Sequence, residues 1–491
     1  MKTKVLIFSA FIWANSFIHA QIRSDFILTD QGLHPCIVSD KQGHLHATWD
    51  SFVDSRVNVY YALFDSLGNP IIGPYRVPES GQWPRVAVNT DYAVTVWWNQ
   101  SVHEPSYVIG QLFSIKGEPV SGTVQFTNYG VNPDVYFLND STFIVIWTDA
   151  NMSSVGILGQ IVSISLKFIG NNLLLSDHGI GNVSYQYARV LSHSGRSKFM
   201  VIWLDDYLGS NKIFGRIFSL DGTPQDSSFL ISEDIKLSKI FYFNAAMDSS
   251  GDFAIVWGGA QDSLWQVQWR WFHNDGSPLG PSESITTETE KVASWPCVDI
   301  AIDLDGRCVV VWEEAENGYS KIYAQRFLPD RTPLGSSFRA STRIDTFNQM
   351  FPSVALHKGK IYTVWEEMQP YSLNDTIWAN IIDFNNPPTN VESISNKLPK
   401  IFRLHQNYPN PFNQTTTITY EVKQRSHIRF IIYNVLGEEI FMLKNREVMP
   451  GIHELRWNGK DSKGGDVPSG IYIYQLTVNG NTQMKKMVLI R

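Results

Sequence analysis

His46-Ala47-Thr48-Trp49, Val94-Thr95-Val96-Trp97, Ile144-Val145-Ile146-Trp147, Met200-Val201-Ile202-Trp203, Ala254-Ile255-Val256-Trp257, Val309-Val310-Val311-Trp312 and Tyr362-Thr363-Val364-Trp365 are seven versions of one run. Each is short, mostly apolar and β-branched, and closes on tryptophan. Successive tryptophans stand 48, 50, 56, 54, 55 and 53 residues apart. A period of that length marks one supersecondary unit repeated along the chain. About 14 residues before the tryptophan a short strand often opens on proline, at Pro35, Pro84, Pro133, Pro296 and Pro352. Proline is tolerated there because its missing N–H is not needed by the ladder.

Outward from each tryptophan the unit fills in. A third strand follows, such as Val108 to Phe113 or Ile322 to Phe327, and leads to a Gly/Pro turn such as Gly117-Glu118-Pro119 or Gly222-Thr223-Pro224. A short fourth strand, such as Ser228 to Ser232, ends the unit. Four antiparallel strands in some fifty residues make one propeller blade. The expected fold is therefore all-β: a seven-bladed β-propeller followed by a small C-terminal β-sandwich. The seventh unit stops after three strands near Asp383, while Asp25 to Asp30 precedes the first unit and resembles a fourth strand. The N-terminal strand is expected to complete the last blade and close the ring, which removes an exposed edge. The repeats carry neither the Ser-x-Asp-x-Gly-x-x-Trp turn of sialidase-type blades nor the Gly-His and Trp-Asp pairing of WD40 repeats, so no single propeller family is indicated.

Composition agrees with this architecture. The chain has 491 residues, is 43% hydrophobic and only 18% charged, and holds 16 Trp, 20 Tyr and 28 Phe, which favours strands and a large core. Net charge is −7, so nucleic acid and anionic membranes are not expected partners. Lys2 and Lys4, the apolar run Val5 to Trp13 and Ile18-His19-Ala20 read as an export signal over residues 1–20. No stretch reaches the length of a transmembrane helix. Cys36, Cys297 and Cys308 are odd in number, and read as small buried apolar residues. A hairpin turn at Leu304-Asp305 is expected to put Ala301 opposite Cys308.

The propeller reading spans 21–385 and a Pro-, Asn- and Ser-rich linker 386–400. Residues 401–491 then carry Tyr408-Pro409-Asn410-Pro411-Phe412-Asn413, Tyr433-Asn434-Val435-Leu436-Gly437, Ser469-Gly470-Ile471-Tyr472 and the closing Lys485-Lys486-Met487-Val488-Leu489. As an ordered set these resemble the C-terminal sorting domain of type IX secretion cargo from Gram-negative Bacteroidetes. Gln414 stands where a second proline is usual, and no proline follows the strand ending at Val422. The resemblance implies a protein handled by the type IX machinery and found secreted or on the outer-membrane surface. It implies nothing about what the propeller does.

Residues just before each innermost strand are expected to ring one mouth of the axial channel: His34, Trp83, Asn132, Tyr187, Tyr242, Trp295 and Phe351. The aromatic members suit sugar rings or apolar side chains of a peptide. Carboxylates after the tryptophans, among them Asp50, Asp149, Asp205, Asp206, Glu313, Glu314, Glu366 and Glu367, are expected on a rim of that face. Such a rim suits sugar hydroxyls, cationic peptides or, more weakly, Ca²⁺. Glu313 and Glu366, equivalent in neighbouring blades, are the pair to test for glycoside hydrolysis. No dedicated metal site or other cofactor is indicated. No nucleophile elbow, zinc-protease pair, phosphate loop or dinucleotide fingerprint occurs. His44, His46 and His103 are not expected to share a site. The leading reading is a binding protein for an extracellular glycan or protein. A polysaccharide-acting glycoside hydrolase and a non-catalytic surface scaffold are the alternatives.

Overall fold

A computed structural model describes residues 21–99, 106–149, 156–177, 187–192, 197–205, 212–232, 239–261, 264–286, 296–343, 347–369, 372–388 and 402–490, the last with short breaks at 406, 408, 423–424, 435–437 and 479–480. The export-signal reading, most of the linker reading, His103, Trp295 and Asp206 fall outside these residues. The chain divides into two compact units, Met1–Thr389 and Asn390–Arg491. Each is all-β.

In the first unit five four-stranded antiparallel sheets stand alone, and one seven-stranded sheet joins two further blades through Gln21–Ser39. Taken in chain order from Leu45–Val53 these are blades 1 to 7. Each innermost strand contributes to the wall of one axial cavity, so seven blades surround a channel. The repeated runs form the second strand of each blade, fully paired on both sides. Cys308 stands opposite Ile302, not Ala301, because the turn runs only from Asp303 to Arg307, one residue shorter than expected.

The signature tryptophan packs across a seam. Trp147 joins a core with Val94 and Val96 of blade 2, Trp203 one with Ile144 and Ile146, Trp257 one with Met200 and Ile202, and Trp312 one with Ala254 and Val256. Trp365 packs with Val309 and Val311, Trp49 with Tyr362 and Val364, and Trp97 with Val59 and Tyr61. Each indole thus covers the second or third strand of the preceding blade, and the series returns to its start. Trp97, Trp147, Trp203, Trp257 and Trp365 find no acceptor for the indole N–H among the described residues, so they act as volume rather than as donors.

Gln21–Ser39 serves two blades. Its first half pairs with Asp375–Asp383 as the outer strand of blade 7, from Gln21 opposite Ile382 to Gly32 opposite Asp375. Its second half pairs with Leu45–Val53 as the innermost strand of blade 1. Asp25 accepts the N–H groups of Thr342 and Arg343 at 2.8 and 3.0 Å and the Asn380 side chain at 3.2 Å, which ties this strand to blade 6 as well.

The C-terminal unit packs a three-stranded sheet against a four-stranded one over a single core that includes Phe412, Ile418, Tyr420, Phe430, Trp457 and Tyr474. Its asparagine/proline motif is structural. The Asn410 side chain accepts the Val488 N–H at 2.8 Å, and Phe412 exchanges backbone hydrogen bonds with Val488 and Ile490, so the motif holds the last strand in place.

Candidate functional site

The X-Pro steps create the mouth. His34, Trp83, Asn132 and Phe351 have φ between 49 and 53°, in the left-handed region, and each precedes a proline. Ladder register shifts at all four positions, as a β-bulge requires. A non-glycine residue in this conformation costs about 1–2 kcal/mol. The bulge swings the side chain out of the sheet and toward the channel axis. Blade 5 has its own bulge between Ile240 and Tyr242.

His34, Trp83, Tyr187, Tyr242 and Phe351 converge on one cavity of about 70 Å³. His34 stacks on Trp83 with centroids 3.6 Å apart, and Phe351 meets both edge-on at 5.3 and 5.5 Å. Trp83 lies 6.3 Å from Tyr187, which lies 5.5 Å from Tyr242. The rings therefore lean on one another as a half-buried cap over the channel. Asn132 shares their backbone conformation but is not in the lining of this cavity.

The carboxylates do not form the exposed rim expected from sequence. Asp50, Asp149, Asp205, Glu313, Glu366 and Glu367 are buried, and three of them hold the bulges. Phe351 donates its backbone N–H to Glu313 Oε1 at 2.8 Å, His34 to Glu366 Oε2 at 2.9 Å, and Trp83 to Asp50 Oδ1 at 3.3 Å. In every case the acceptor belongs to the preceding blade. Asp50 Oδ1 also meets His34 Nδ1 at 2.9 Å, and so anchors both members of the His34–Trp83 stack. Leaving a buried N–H without an acceptor costs about 1–3 kcal/mol, so these carboxyl acceptors offset a penalty as large as the left-handed strain. Among the other rim candidates, Glu367 accepts from Arg343 and Gln349, and Glu314 from the Trp312 indole.

Burial pushes the Glu313 carboxyl up to about 8, against the hydrogen bonds from the Phe351 N–H and the Cys297 thiol. Glu366 is raised well above the usual carboxylate range, by burial and then by a shared hydrogen bond with Asp375. Neither glutamate is among the residues lining the aromatic cavity, the channel, or the cavity at the opposite mouth.

One layer below the cap lies a ring that sequence reasoning missed. Cys36, Arg85, Asp134, Arg189, Asn244, Asp299 and Ser353 occupy the equivalent position of the seven innermost strands and all line the channel, a cavity of about 330 Å³. Asp134, Asp299 and Ser353 each accept the N–H of the following blade, from Val190 at 3.0 Å, Val354 at 2.8 Å and Ile37 at 3.2 Å. The signal was available two residues after the mouth position in six blades, and four after Trp295 in blade 6, but the residue types differ from blade to blade.

At the opposite mouth, His44 and His46 do meet on one group. Asp40 Oδ2 lies 3.0 Å from His44 Nδ1 and 3.5 Å from His46 Nε2, because the turn from Asp40 to His44 folds back on its own carboxylate. Among the described residues, no group of three His, Cys, Asp or Glu side chains is placed to hold a metal ion.

Fold and C-terminal unit together define a β-propeller that carries a secretion sorting tail. Residues 406–490 match the family model of the secretion system C-terminal sorting domain. This unit is a type IX sorting domain, and the protein is secreted or displayed on the surface of a Bacteroidetes-type bacterium. Among the described residues, no helix is long and apolar enough to cross a membrane. The chain is similar to the polysaccharide lyase Uly1 at 9% identity, over 74% of this chain and 100% of that one, with a TM-score of 0.45. It is similar to PorZ, a surface component of the type IX system of Porphyromonas gingivalis, at 12% identity over 91% and 58% of the two chains, with a TM-score of 0.31. The phage phi92 endosialidase is similar at 8% identity over 75% and 70%, with a TM-score of 0.44. No curated protein matches the sequence.

Proposed function

We propose that the protein is a non-catalytic binding protein, exported through the signal at residues 1–20 and the sorting domain, that presents the aromatic mouth of its propeller to an extracellular glycan or protein. The observation that carries this reading is the fate of Glu313 and Glu366. Glycoside hydrolysis needs two carboxylates flanking an open cleft. Here both are buried, bonded to backbone N–H groups of the next blade, and absent from the lining of the aromatic cavity. That cavity, about 70 Å³, is also far smaller than the several hundred Å³ of an ordinary ligand pocket. Recognition therefore suits the surface of the cap, through ring edges and the surrounding connections, and an extended partner rather than an engulfed small molecule.

The test uses the full secreted chain on glycan arrays and in pull-downs from the cell surface. Trp83→Ala and Phe351→Ala should weaken binding about tenfold while cooperative unfolding survives. Binding unchanged in both would count against the aromatic mouth. Release of reducing ends from any polysaccharide, abolished by Glu313→Gln or Glu366→Gln, would replace this reading with the hydrolase.

A further inference from the structure

Two arginines in the channel have donors to spare. Arg85 and Arg189 sit at equivalent positions of blades 2 and 4 and line both the channel and the small cavity under the aromatic cap. Arg189 is nine-tenths buried. Its Nε donates to Asn244 Oδ1 at 3.2 Å and its Nη1 to the Ala188 carbonyl at 2.9 Å. Among the described residues, the one hydrogen bond of the Arg85 guanidinium is the 3.9 Å contact of Nη1 with the Cys36 thiol. Each guanidinium carries five N–H donors, so several on each remain for something else.

The channel's own carboxylates do not take them. Asp299 spends Oδ1 on the Asn244 side chain at 2.5 Å and the Ile300 N–H at 2.8 Å, and Oδ2 on the Val354 N–H at 2.8 Å. Asp134 Oδ2 accepts the Val190 N–H at 3.0 Å. Neither comes within ion-pair distance of Arg85 or Arg189. The two guanidinium groups also oppose each other, since burial and then the neighbouring Arg85 lower Arg189 to about 10. Both stay charged at neutral pH.

We infer that the channel beneath the aromatic cap is a binding site for a small carboxylate, held between the Arg85 and Arg189 guanidinium groups. A planar carboxylate matches the guanidinium fork, and such bonds are the stronger kind. Access is from the mouth opposite the cap. A cavity of about 370 Å³ there shares Val88, Tyr136, Met247 and Leu356 with the channel, so the two are continuous. This site does not depend on the aromatic mouth being a recognition surface.

The experiment is thermal unfolding and calorimetry of the full chain with sodium D-glucuronate against D-glucose at matched ionic strength, and with sodium sulfate as a third arm. Glucuronate should stabilise the first unit at a half-saturating concentration at least tenfold below any effect of glucose. Arg85→Gln and Arg189→Gln should each raise that concentration about tenfold or more. Equal responses to glucuronate and glucose, or a glucuronate response that survives both arginine substitutions, would overturn the inference. Stabilisation by sulfate without stabilisation by glucuronate would overturn the carboxylate assignment. The wild-type comparison needs no variant, so a poorly folding substitution leaves the test intact.

Discussion

The backbone N–H of Phe351 in blade 7 donates to Glu313 of blade 6 at 2.8 Å, across 38 residues of sequence. The same relation links His34 to Glu366 and Trp83 to Asp50. A left-handed residue before proline needs an acceptor for an N–H that has left its own ladder. The carboxylate after the signature tryptophan supplies it from the neighbouring blade. The acidic residues and the aromatic residues are thus two halves of one seam clamp.

Glu313 makes the clamp pH-sensitive. Its pKa is raised in the folded state to about 8, from 4.5. A raised carboxyl favours folding most below pH 4.5, and this contribution is lost as pH rises through 8. Glu313→Gln keeps an acceptor for Phe351 and cannot ionise. Urea unfolding should show the variant gaining on the parent between pH 5 and 8.5, by on the order of 2–4 kcal/mol.

Asp40 works in the other direction. Burial alone raises it, but the hydrogen bonds of His46 and His44 prevail and lower it to about 2, from 3.8. Its contribution is complete above pH 4 and disappears as pH falls toward 2. Asp40→Ala should cost about 2 kcal/mol at pH 7 and flatten the acid limb of a melting-temperature profile.

The bulge conformation predicts an unusual order among substitutions at one site. Phe351 has φ of 50°. Glycine relieves the strain and alanine does not, so Phe351→Gly should be about 1 kcal/mol more stable than Phe351→Ala by denaturant titration, the reverse of the usual ranking.

Trp257 is fully buried between blades 4 and 5, with no acceptor for its indole N–H among the described residues. Trp257→Ala should cost about 3–5 kcal/mol. Trp257→Phe, which gives up volume but no hydrogen bond, should cost clearly less in the same urea titration.

Removal of Gln21 to Gln31 deprives blade 7 of its outer strand and Thr342, Arg343 and Asn380 of Asp25. The truncated chain should melt at least about 10 °C lower, and a synthetic peptide spanning Arg23 to Gly32 should restore part of the loss. An unchanged melting temperature would show that this strand does not close the ring.

The repeat, the strand order and the sorting tail were all legible in the residues themselves. Trp49 through Trp365 recur because every seam needs the same indole volume, and a period survives in sequence whatever the blades later touch. The tail was legible because its ordered motifs stand close together in sequence, and in this chain Asn410, Phe412 and Tyr474 hold their neighbours directly. The roles of Glu313 and Glu366 were not, since a carboxylate after a strand looks the same whether it faces water or a backbone N–H in the next blade. Arg85 and Arg189 were hidden for a related reason. They are separated by a hundred residues of ordinary strand, and only the closing of the ring turns equivalent positions into neighbours around one axis. Local periodicity decided which strands form. Which polar groups meet was decided by the circular packing of blades, because those meetings occur at seams that no single repeat contains.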